Sequence, residues 1–276
     1  MGTLTDSADA STRDAPTGDS LGKSTLITYD VHEHIAHIRF NRPEKLNALT
    51  LAMYDALGEA FARADADPDV RVILLGANGD RAFCVGADLG ESIPALAEGR
   101  FDISEWDGAH IKQAGFHTPV VVAINGLCMG GGFEIMLATD IRIASESALF
   151  ALPEASLGFT PAGGTLVRLV RQIPYALAME LMLTAERFPA ARLAEMGLLN
   201  RVVPPDQLEA VALQYARGIA QKGQVAVSVI KEAALTLAHL PYDEAFRQEA
   251  VLGQRAFTSD EAKAGLQRFM ARSRQG

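Results

Sequence analysis

The chain has 276 residues, 49% of them hydrophobic, enough for a large domain with a substantial core and unlike a short scaffold held by cross-links. Its formal charge of -9 at pH 7 opposes nonspecific attraction to nucleic acid or to an anionic membrane. Cys84 and Cys128 are the only cysteines and form no Cys-x-x-Cys pair, so a disulfide framework or thiolate zinc site has little basis and a reducing, cytoplasmic setting fits best.

Residues 1–23, rich in Thr, Ser, Asp, Gly and Ala, read as a mobile tail. The tail has no apolar core of a signal peptide, and its acids Asp6, Asp9, Asp14 and Asp19 oppose an organelle transit peptide. Gly18 to Ser24 imitates a phosphate-binding loop but has three residues between its glycines where the motif needs four. Further along, no apolar run reaches the roughly 18 to 20 residues that span a bilayer.

Leu26 to Tyr29 and Ile35 to Phe40 read as strands, and Leu51 to Ala66 has helical spacing. Val70 to Leu75, Val120 to Ile124 and Asp140 to Ala144 read as buried strands, with a helix beginning near Gly131. This alternation predicts an α/β architecture with parallel strands over residues 24–203. Residues 204–276 switch to helices alone: Pro205 to Gln221, Val225 to Ala238, Asp243 to Phe257 and Asp260 to Ser273. The segment Glu91 to Gly115, with the lone Trp106, suits either a substrate-side flap or a surface helix with a buried tryptophan.

Two glycine-bearing loops follow strands: Arg81 to Leu89, which contains Gly86, and Gly130-Gly131-Gly132. Glycine allows close backbone approach, and a helix start leaves N–H groups unpaired, so the two loops could form a two-donor oxyanion site. The same glycines also suit tight turns between packed elements. Glu134 follows in the first helical turn, where an acid is ordinarily favourable with the helix dipole. Glu154, in Ala151-Leu152-Pro153-Glu154, is a second acid, and two carboxylates converging beside an oxyanion site suit acid/base work.

Other candidates are weaker. His32, His34 and His37 imitate a metal cluster, but strand periodicity puts His32 and His34 on the face opposite His37, so no metal is expected. Residues 24–276 lack the Gly-x-Ser-x-Gly elbow of serine hydrolases and a Gly-x-Gly-x-x-Gly dinucleotide fingerprint. Phe101, Trp106, Phe116, Phe133 and Phe159 suit either an acyl pocket or plain core.

Taken in order, Asn41 through Leu49, Ala82 through Leu89, Asn125 through Glu134, Pro153 through Thr165, Ala194 through Val203 and Phe257 through Glu261 resemble the enoyl-CoA hydratase/isomerase, or crotonase, superfamily. The likeness is greatest to the hydratase branch and covers nearly everything after Ser24. It implies a spiral of repeated ββα units, with C-terminal helices that build trimers, often paired into hexamers. The implied substrate is an acyl-CoA thioester, with CoA part of the substrate and no separate cofactor. By this resemblance, Ala87 and Gly131 supply the oxyanion amides, and Glu134 and Glu154 fall on the catalytic glutamates that add water to a trans-2-enoyl-CoA to give a 3-hydroxyacyl-CoA. Lys45, Leu46, Ala48, Asp88, Leu89, Gly130, Phe133, Pro153 and Phe159 fall on substrate-binding positions, and Phe269 and Arg272 on positions reaching the nucleotide end of CoA.

Three residues depart from the hydratase pattern. Gly90 stands where a lysine is common, Phe133 replaces a smaller residue and is expected to reshape the acyl end, and Ala162 replaces a glycine after Pro161. One enolate site serves many reactions, so double-bond isomerisation, hydroxyacyl-CoA dehydration and thioester hydrolysis stand as alternatives. A non-catalytic acyl-CoA-binding or assembly protein is a more distant reading, disfavoured by the presence of both acids.

Overall fold

The computed structural model describes residues 26–273. The expected tail and the loop at Gly18 to Ser24 lie outside them.

Among the described residues ten strands form two sheets: β1 (Ile27–His32), β2 (Ile35–Phe40), β3 (Val72–Ala77), β4 (Ala82–Cys84), β5 (Val120–Ile124), β6 (Leu127–Met129), β7 (Ile141–Ser145), β8 (Leu149–Ala151), β9 (Phe188–Pro189) and β10 (Arg201–Val203). The larger sheet has the order β1-β2-β3-β5-β7-β10 and the smaller β4-β6-β8-β9. All pairs are parallel except the β1/β2 hairpin and the β8/β9 edge. Successive strand pairs β3/β4, β5/β6 and β7/β8 each give one strand to either sheet. The chain therefore advances as a spiral of ββα-like turns.

Burial on both faces explains why the central strands read as continuous apolar runs. Ile73, Leu75, Val120, Val122 and Ile124 enter the main core, while Val72, Leu74, Val121 and Ala123 face a second cluster. The second cluster is closed by Leu208, Ala212, Ala216 and Ala220, spaced four apart on one helix face.

The helices are α1 (Leu51–Ala66), α2 (Ser92–Ala97), α3 (Gly131–Leu137), α4 (Thr165–Gln172), α5 (Tyr175–Thr184), α6 (Ala190–Glu195), α7 (Leu208–Ala220), α8 (Gln224–Thr236), α9 (Tyr242–Phe257) and α10 (Asp260–Ser273). Thr50 starts α1 by accepting the Met53 N–H at 3.2 Å, and the buried face of α1 carries Met53, Tyr54, Leu57 and Phe61 inward. The first helix of the all-helical stretch, α7, lies on the large sheet, so the helical region begins inside the core.

The hairpin corrects the histidine geometry. Glu33 and His34 take positive φ values of 52° and 65° at the turn, and His37 pairs with Asp30 across the strands. Chain reversal brings the His32 and His37 rings to one face, 6.1 Å apart, because period-two alternation does not continue through a turn. His32 is engaged by Asp30, and no group of three metal-ligating side chains occurs among the described residues.

Candidate active site

The two glycine loops meet. Leu49 N–H donates to Gly86 O and Asp88 N–H to Leu49 O, both at 2.8 Å, a bridge that turns the Ala87 N–H to the other side. Gly86 has φ of +89°, and a β-carbon on it would stand 2.8 Å from Gly131 N. The first-turn amide of Gly131 has no carbonyl one turn back to bond. Among the described residues neither the Ala87 nor the Gly131 N–H meets an acceptor, and both residues line a cavity of about 200 Å³.

Glu134 projects into this cavity from α3, a helix buried on every side. The helix is fixed at its far end by Arg142, which donates to Leu137 O at 3.0 Å and Thr139 O at 2.9 Å. Glu134 is only 6% exposed, and its Oε1 accepts the Gly163 N–H at 2.7 Å. Burial, reinforced by the charge of Glu154, pushes its carboxyl up to about 7, against the opposing hydrogen bond from the Gly163 N–H.

Glu154 reaches the same cavity from a 3-10 turn, Pro153–Leu157, closed by Gly158 in the left-handed region. Its Oε1 lies 3.0 Å from where a β-carbon of Gly130 would be, and its Oε2 is buried without a hydrogen-bond partner among the described residues. Burial raises this carboxyl as well.

The remaining walls are mainly apolar. Ile93, Leu96, Ile103 and Trp106 come from the segment at 91–115, which holds α2 and a 3-10 turn at Ile103–Trp106. The segment thus lines the cavity, and Trp106, in the 3-10 turn, is buried and stacked on Tyr54 with ring centroids 4.1 Å apart. Leu157 and Phe159 line the cavity as well.

Of the predicted site residues, Ala87, Leu89, Gly130, Gly131, Glu134, Pro153, Glu154 and Phe159 share this cavity. Phe133 does not, which corrects the expectation that it reshapes the acyl end. It is fully buried and meets the Phe150 ring edge-on at 6.1 Å. One residue of sequence separation rotates a side chain by about 100° around a helix, so Phe133 and Glu134 cannot face the same way. Phe116 packs against Phe61, and Phe101 stands behind Trp106.

Asp88 also differs from expectation in its side chain: Oδ2 accepts from Arg42 at 2.6 Å and Oδ1 from the Gly90 N–H at 2.8 Å. Arg42 holds this carboxyl below its usual range, and the pair fixes the loop bearing Ala87. Lys45, Leu46 and Ala48 lie on the neighbouring loop outside the cavity lining, Lys45 exposed and Leu46 capping a 3-10 turn at φ 54°. Phe269 is 70% exposed on α10, and the Arg272 side chain lies outside the described residues. Sequence reasoning missed Tyr54, His110 and Gly163, whose roles depend on contacts far from them in sequence.

Two uncommitted amides and two buried carboxyls, both raised by burial, line one cavity, an arrangement that suits proton transfer beside a polarised carbonyl. A family model described as Enoyl-CoA hydratase/isomerase matches residues 30–275. Enoyl-CoA hydratase EchA19 of Mycobacterium tuberculosis is 39% identical over 242 residues, covering 86% of this chain and 90% of that one. The (E)-benzylidenesuccinyl-CoA hydratase of Thauera aromatica is 33% identical over 246 residues, with coverages of 88% and 95%. The crystal structure of an enoyl-CoA hydratase from Bacillus anthracis superposes with a TM-score of 0.83 at 32% identity, covering 90% of this chain and 96% of the other. The chain belongs to the enoyl-CoA hydratase/isomerase family.

Proposed function

We propose that the protein is an enoyl-CoA hydratase that reversibly adds water to a trans-2-enoyl-CoA, giving a 3-hydroxyacyl-CoA. The observation carrying this reading is the meeting of Glu134 and Glu154 with the Ala87 and Gly131 amides on one cavity. The thioester oxygen accepts hydrogen bonds from the two amides. As oxygen adds at C3, negative charge moves onto the thioester oxygen, where a fixed donor commonly lowers the barrier by about 2.7 to 4 kcal/mol.

Near neutral pH the raised carboxyl of Glu134 is partly protonated, so the pair can present one acid and one base. The base takes a proton from water as its oxygen bonds to C3, and the acid gives a proton to C2 of the enolate. One water is consumed, and proton exchange between the carboxyls and solvent restores the starting state. Elimination of water follows the same path backwards.

CoA is part of the substrate and no other cofactor is needed. The protein works in the cytoplasm, apart from nucleic acid and membranes, as a homotrimer or dimer of trimers. Supporting assembly are the exposed apolar side chains of Tyr242, Phe246, Val251 and Phe257 on α9. The absence, among the described residues, of a helix long and apolar enough to cross a membrane is compatible with this placement.

Incubation with a panel of enoyl-CoA thioesters, followed by product mass, tests the reaction. Products heavier by one water support hydration. Products of unchanged mass would indicate isomerisation, and free CoA would indicate hydrolysis; either as the main outcome overturns the assignment.

A further inference from the structure

His110 is fully buried behind the cavity, and its Nδ1 lies 2.9 Å from Trp106 O. A carbonyl oxygen only accepts hydrogen bonds, so Nδ1 must carry the proton. In the neutral ring Nε2 is then a bare acceptor. This nitrogen has no hydrogen-bond partner among the described residues.

Gly163 shows where Nε2 points. A β-carbon on Gly163 would stand 2.5 Å from His110 Nε2 and 2.6 Å from Glu134 Oε2. The two atoms are therefore no more than about 5.1 Å apart, within the roughly 5.5 Å that two hydrogen bonds through one water span. The other oxygen of Glu134 is taken by the Gly163 N–H. A proton on Glu134 belongs on Oε2, facing an acceptor that has nothing else to accept.

We propose that His110 is a positioning residue for Glu134: its Nε2 accepts, through one water, the hydrogen bond of the proton on Glu134 Oε2 and so favours the protonated carboxyl. The charged groups around the pair keep the ring neutral. Lys112 and Arg168 both oppose a second proton on His110, while the opposing Asp107 is paired with Lys112 at 2.6 Å. Burial is the larger cause, and together they push His110 down to about 4. Arg168 donates to His110 O and Ile111 O at 2.8 and 2.7 Å, and its charge, Glu154 and the buried Tyr54 phenol are the other ionisable groups facing Glu134. Ionised Glu154 also only accepts and the phenol can donate or accept, whereas Nε2 of the neutral His110 ring is an acceptor whatever the charge of the pair.

The link rests on the hydratase reading only for its kinetic arm. In that arm His110→Leu, which removes the acceptor, moves the Glu134-governed limb of the pH–kcat profile to lower pH by about half to one unit. KM is unchanged, and His110→Gln, whose amide oxygen can accept, returns the limb toward wild type. An unmoved or upward-moved limb in His110→Leu overturns the proposal. The second arm needs no substrate and no change at His110: ¹⁵N NMR of histidine-labelled full-length protein, wild type and Glu134→Gln. The proposal expects the Nδ1–H tautomer from pH 5 to 8 and an Nε2 signal that shifts as Glu134 titrates in wild type and stays flat in Glu134→Gln. An Nε2–H tautomer, or an Nε2 signal indifferent to Glu134→Gln, overturns it. If the wild type hydrates no thioester, the reaction assignment fails while the NMR arm still decides the His110–Glu134 link.

Discussion

Tyr54 and Gly131 meet so closely that a β-carbon on Gly131 would stand 2.7 Å from the Tyr54 hydroxyl oxygen and 3.7 Å from Ala87 N. The glycine therefore keeps the phenol and the two amides side by side. Gly131→Ala is expected to displace Tyr54 or tilt the Gly131 amide and to lower kcat by about 10²- to 10³-fold, the loss typical of a removed oxyanion donor. Adding Tyr54→Phe removes the atom in collision and is expected to recover part of that loss. Steady-state kinetics on both variants, with thermal melts to show that they fold, check the pair.

Glu134 links function to stability. Its carboxyl ordinarily titrates at 4.5 and is pushed to about 7 in the fold, so the folded state holds the proton more tightly than the unfolded state. Below the ordinary value both states are protonated and nothing is lost. As pH rises from there through 7 the buried charge costs stability, and the cost stays in force above 7. Glu134→Gln, which has no charge to bury, is expected to gain on wild type across that window by up to roughly 3 kcal/mol. Denaturant midpoints at pH 5 and pH 8 check this: the advantage of Glu134→Gln should be larger at pH 8.

Phe133 and Phe159 divide packing from selectivity. Phe133 fills the core against Phe150, and Phe133→Ala is expected to destabilise the fold by about 3 to 5 kcal/mol while leaving the preferred acyl chain length unchanged. Phe159 lines the cavity and is partly exposed, so Phe159→Ala is expected to cost little stability and to shift the preference toward bulkier acyl groups. Unfolding curves and kcat/KM across a chain-length series separate the two effects.

The ordered strands and helices were legible where periodicity was strong: α1 and β5 have the predicted bounds. The short strands of the smaller sheet were not, since three residues carry no period and Ala82–Cys84 and Leu127–Met129 read as parts of glycine loops. Glu134 and Glu154 stood out as two acids beside a possible oxyanion site, but only folding brings the loop of one to the helix of the other. Phe133 misled because adjacency in sequence suggested adjacency in the site, whereas the helix turns it into the core. His110 and Gly163 gave no signal at all, for a lone histidine and a loop glycine are informative only once their neighbours are known.

The reaction's dependence on both carboxylates tests the account most directly. Wild-type protein, Glu134→Gln and Glu154→Gln are each mixed with crotonyl-CoA or a longer enoyl-CoA, and the loss of conjugated absorbance is followed. The wild type should remove it, and each variant should slow that removal by about 10²- to 10⁴-fold, the usual contribution of a general acid or base. Undiminished turnover in both variants would contradict the account.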